Sequence, residues 1–113
     1  MERGRQFDYN IKKTIPKSVF NDLDVNLKEV FDEAFNLLLL KHKAYGPKNI
    51  SQAPGGALNG LRVRMHDKLA RLNHIIENPD TDVNDESLRD TLIDLLNYSA
   101  IAILVIEDKW PNK

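Results

Sequence analysis

The chain of 113 residues has no cysteine, which removes disulfide staples, thiolate zinc sites and cysteine nucleophiles together and is compatible with a reducing compartment. It also lacks an excess of either charge: sixteen basic residues against seventeen acidic leave a formal net charge of -1, so no overall field draws it to DNA, RNA or an anionic lipid surface. Any attraction for phosphate has to be local. Long hydrophobic runs are missing too. The longest apolar stretch, from Leu92 to Ile106, is broken by Asp94, Asn97 and Ser99 and is short for a bilayer span. Residues 1–13 mix charged and polar side chains without the apolar centre of a secretory signal. These absences predict a soluble, cytoplasmic protein whose partners include neither a membrane nor a nucleic acid polymer.

Glycine and proline are sparse, five of each, and unevenly placed: four of the glycines and two of the prolines fall within residues 46–60. That segment reads as a loop, in which Gly55 and Gly56 allow close approach to the main chain. The length suits one domain and is too short for two independent cores. Residues 1–20, ending near Pro16 and Lys17, read as an N-terminal arm. Residues 21–113 read as a single helical domain.

Three segments have helical periodicity. After Asp22 and Asp24, the apolar residues Leu27, Val30, Phe31, Ala34, Leu37 and Leu38 predict a first helix to about Lys43, closed by Gly46 and Pro47. A second helix, from about Leu58 to about Glu77, has Leu61, Met65, Leu69, Leu72 and Ile76 on one stripe and ends at Asn78 and Pro79. A third begins near Asn84 or Asp85 and runs to about Asp108. Its second half is apolar around most of its circumference, as expected of a helix enclosed by neighbours or by another subunit. The fold expected is all-α: a compact bundle of three main helices plus the arm, completed by oligomerisation.

Charged residues on these helices intrude on the apolar stripes. At about 100° per residue, Lys68 falls roughly 20° from Leu61, and Arg64 and Arg71 border the same face. Such cations either snorkel, covering apolar surface with their stems, or converge on a phosphate, where guanidinium forks and ammonium charges are the appropriate donors. Lys41 sits inside the stripe of the first helix in the same way. On the third helix Glu86, Asp90 and Asp94 are spaced by four with Asn97 near the same line, and the seam continues into Ile101 and Leu104. Helical phase therefore carries the carboxylates toward the core. Buried carboxylates require partners, so Asp90 or Asp94 either pairs with Arg64, Lys68 or Arg71, or holds a divalent cation such as magnesium, which suits oxygen ligands and substrate phosphates. On the first helix Glu33 is better placed for an inward role than Asp32. His42, His66 and His74 lack the spacing of a zinc site and are expected at the surface or behind it. No serine elbow and no Walker lysine is present.

Taken in order, Lys41, Tyr45-Gly46 and Asn49, Val63-Arg64, Asp67-Lys68 with Arg71-Leu72, Glu86-Ser87, Asp90-Thr91-Leu92 and Asp94-Leu95 with Tyr98 resemble the signature of a phage and bacterial family, the nucleotide modification associated domain. The likeness spans residues 33–98. More distantly, the acid pattern resembles the all-alpha nucleoside triphosphate pyrophosphohydrolases of the MazG and dimeric dUTPase kind, in which acidic pairs on two helices hold magnesium. Carried over to this chain, the resemblance implies Glu33, Glu86 and Asp90 as metal ligands, with Glu86 and Asp90 catalytic. It implies a nucleotide held by Lys41, Tyr45, Asn49, Arg64, Lys68, Arg71, Asp94 and Tyr98. The chain departs from the E-x-x-E and E-x-x-D spacing of those enzymes, since Glu86 and Asp90 stand four apart. The function expected is a magnesium-dependent nucleotide pyrophosphohydrolase, a homo-oligomer in the host cytoplasm if phage-encoded. The alternative is a non-catalytic protein that sequesters a cyclic or modified nucleotide signal to counter host defence, and a third possibility is an interaction module whose charges are internal salt bridges.

Overall fold

A computed structural model describes residues 22–79 and 85–112, leaving the side chains of 85 and 86 outside the description. The arm expected over residues 1–20 lies outside the described residues. Among the described residues four helices follow one another, α1 (Leu23–Tyr45), α2 (Lys48–Ser51), α3 (Ala57–Glu77) and α4 (Asp85–Ile106), and there is no strand. The chain divides into two units, Met1–Asp32 and Glu33–Lys113, with the boundary inside α1. In the first unit Lys28 pairs with Asp32 at 2.7 Å across one exposed helical turn, and Leu27 and Phe31 are exposed. The packing below belongs to the second.

Each helix end has a chemical cause. Gly46, at φ 73°, takes the left-handed conformation that stops α1 and returns its N–H to the carbonyl of His42 at 2.7 Å. Pro47 then starts α2, whose N–H groups at Ile50 and Ser51 both donate to the Pro47 carbonyl. This short helix replaces part of the loop expected between residues 46 and 60. The turn after it lies so close to α3 that a Cβ on Gly60 would stand 2.6 Å from the Cβ of Ala53. At the other end of α3, both the backbone and the side-chain amide of Asn78 donate to the His74 carbonyl.

α4 ends two residues earlier than its apolar pattern suggests, because Asp108 adopts φ 58° and Lys109 donates its N–H to the carbonyl of Leu104 at 2.7 Å. That reversal carries the chain back to α2, where the Trp110 indole N–H donates to the Pro47 carbonyl at 3.1 Å. The core is built on Ile50, Leu61 and Ile101, with Leu38, Met65, Tyr98, Val105 and Trp110 packed around it. A second buried patch joins α1 to α4: the Asn97 amide donates to the Ala34 carbonyl at 3.0 Å in the interior.

Burial is narrower than periodicity predicts. Leu61 and Met65 of the α3 stripe pack into the core, but Leu69 and Ile76 are exposed because burial is concentrated at the end of α3 that faces α2. On α4 Ile101 is buried and Leu104 half-buried, whereas Ile103 and Ile106 face outward, so the described residues do not enclose that helix.

Candidate functional site

Helix α1 supplies Lys41, His42 and Tyr45 near its C-terminus, α3 supplies Arg64 and Lys68 one turn apart, and α4 supplies Asp94 and Tyr98. These side chains line one pocket of about 680 Å³, together with Asn49 and Ile50 of α2 and with Trp110. Its volume is in the range of small-molecule sites. The floor is apolar, from Leu38, Ile50 and Ile101; the walls are polar and aromatic.

Asp94 organises the charges. One of its oxygens accepts from the Lys68 ammonium at 2.8 Å and the other from Lys41 at 3.2 Å, so a single carboxylate bridges α3 and α1. Its side chain is 15 % exposed, against 31 % for Lys68 and 46 % for Lys41. Burial alone would push the Asp94 carboxyl up, but the hydrogen bonds and charges of Lys68 and Lys41 outweigh it and hold the group below the ordinary aspartate range. Arg64 donates one guanidinium N–H to the Asn49 carbonyl at 3.3 Å, which ties α3 to α2. His42 meets Trp110 edge to face with ring centroids 5.3 Å apart, and its buried Nδ1 has no hydrogen-bond partner among the described residues. Without zinc-site spacing His42 is expected at the surface or behind it, and the fold sets it, half-buried, in the pocket wall.

Other expected site residues sit elsewhere. Arg71 does not line the pocket; its guanidinium donates to the Ser87 hydroxyl at 3.4 Å. Glu33 is clasped by both terminal nitrogens of Arg89, one at 2.6 Å, and the hydrogen bond from Arg89, helped by its charge, lowers the Glu33 pKa against the opposing effect of desolvation. Asp90 is exposed, its charge felt by the adjoining Arg89. The seam therefore does not run into the core as a whole. Asp94 is drawn in because Lys41 and Lys68 meet there, whereas among the described residues Asp90, one turn earlier, has no such pair of cations. Glu86 lies on α4, but its side chain falls outside the described residues. Among the described residues no group of three or more histidine, aspartate or glutamate side chains is arranged to hold a metal ion. Likewise, no helix among them is long and apolar enough to cross a membrane.

Sequence reasoning missed Trp110 and Arg89. Arg89 had a visible signal as the single basic residue of α4, whereas Trp110 reaches the pocket only through the left-handed turn at Asp108.

Residues 55–106 match the model of the family described as Nucleotide modification associated domain 1. The match takes in α3 and α4, hence Arg64, Lys68, Asp94 and Tyr98, and leaves out Lys41, Tyr45, Asn49 and Trp110. No curated protein matches the chain, and no solved structure does.

Proposed function

We propose that the pocket binds a nucleotide, with its phosphate on Lys41 and Arg64 beside the Lys68–Asp94 pair and its base against Tyr45, Tyr98 or Trp110. The observation that carries this is the convergence of three cationic side chains and three aromatic rings on one cavity of about 680 Å³. The guanidinium supplies paired donors and the ammonium groups supply point charges. Aromatic faces stack bases with a gain of about 1–3 kcal/mol per base. The description of the family model matched by α3 and α4 points the same way.

Hydrolysis is a separate step in this proposal. Magnesium on Glu33, Glu86 and Asp90 would activate water for attack on a phosphate chain, and for that Glu33 would have to exchange Arg89 for the metal. Association of two or more copies is also part of the proposal, supported by the exposed apolar side chains Phe35, Leu39 and Leu40 of α1 and Leu92 and Ile103 of α4.

Melting the protein with a panel of nucleotides, each with magnesium and with chelator, tests the central step, because a ligand selective for the folded state must raise the melting temperature. At least one nucleotide stabilises the wild type in chelator, and Arg64→Gln abolishes that shift while still melting cooperatively. No shift with any nucleotide overturns the proposal. Analysis of the ligand after incubation with magnesium then separates the two fates: intact nucleotide means binding, and released phosphate or pyrophosphate means turnover.

A further inference from the structure

The charges of the pocket are few enough to count. Among the described residues that line it, Lys41, Arg64 and Lys68 are positive and Asp94 alone is negative. Counting histidine as neutral, three cations against one carboxylate leave two positive charges. They are not equivalent. The Lys68–Asp94 contact is shorter and less exposed than the Lys41–Asp94 contact, at 2.8 Å against 3.2 Å. An incoming anion therefore takes Lys41 first and leaves Lys68 with Asp94 as an internal neutral pair. Arg64 spends one N–H on the Asn49 carbonyl and keeps further donors for the ligand. Lys41 and Arg64 together then present two charges to the cavity.

Resting on the nucleotide reading above, we propose that the ligand class is the nucleoside monophosphate. A phosphate monoester carries about 1.5 to 2 negative charges near neutral pH, which Lys41 and Arg64 balance. A second and third phosphate bring charge that no further pocket-lining cation among the described residues meets. Charge drawn from water without a partner costs free energy. Added phosphates therefore bring no affinity. Asp94 sets this limit, because its carboxylate cancels one of the three cations.

Titration calorimetry in chelator tests this with adenosine, guanosine, cytidine and thymidine, each as the mono-, di- and triphosphate. For the base that binds best, the monophosphate binds at least as tightly as the triphosphate, and Asp94→Asn raises the diphosphate-to-monophosphate affinity ratio by about fivefold. A wild-type triphosphate more than about threefold tighter than its monophosphate overturns the inference and leaves the nucleotide pocket standing. Failure of every nucleotide, whatever its phosphate number, removes the nucleotide pocket and this inference with it. The wild-type series decides the matter even if Asp94→Asn does not fold.

Discussion

Replacing Asp94 by asparagine keeps the shape of the side chain and removes the charge that joins α1 to α3. In the wild type that carboxylate is 15 % exposed and accepts from Lys68 at 2.8 Å and Lys41 at 3.2 Å. Fully exposed ion pairs contribute about 0–1 kcal/mol, and breaking a fully buried one costs roughly 3–5 kcal/mol. This pair lies between those limits, since the two lysine heads can turn to water. The expected loss is about 1–2 kcal/mol at neutral pH, which for a domain of this size lowers the melting temperature by roughly 5–15 °C. The pH dependence identifies the cause. The folded-state pKa of Asp94 is depressed, so its stabilisation is fully present above the ordinary aspartate value of 3.8 and is lost as pH falls through the lower folded value. Thermal melts of wild type and Asp94→Asn, recorded from neutral pH down to the acid limit of folding, should converge as acid protonates Asp94. Identical melts at neutral pH, or a gap that persists unchanged into acid, would refute the reasoning.

Asn97→Ala leaves the Ala34 carbonyl without its interior donor and opens a small cavity between α1 and α4. A loss of about 1–3 kcal/mol in urea denaturation is expected. Arg89→Met removes the clasp on Glu33, both partners of which lie at the surface; its melting temperature should stay within error of the wild type, and a large drop would mean that the clasp holds α1 in place.

The three long helices were legible because each has an apolar period, and two of them an end marked by their own residues: Gly46 and Pro47 for α1, Asn78 for α3. α2 was not, since four residues with one buried isoleucine display no period and are held by the core they join. Helical phase was informative about Lys68 and Asp94, which do meet. It misjudged Asp90, because phase describes one helix and the crossing of three helices decides which turn is covered. The likeness read over residues 33–98 is narrower in the family match, which begins at residue 55. Tyr45 and Asn49 enter the pocket with Trp110 and His42 because the short α2 and the reversal at Asp108 bring these segments to one cavity. Neither turn is a property of helix periodicity.

Nucleotide entry into this pocket can be read directly, because the chain carries its own reporter there. Trp110 is the single tryptophan of the sequence and lines the cavity. A titration of its fluorescence with nucleoside monophosphates should give a saturable change for at least one base, absent with sodium chloride at matched ionic strength and abolished in Arg64→Gln. Fluorescence that stays flat across every base and phosphate number, in a protein that still melts cooperatively, would contradict it.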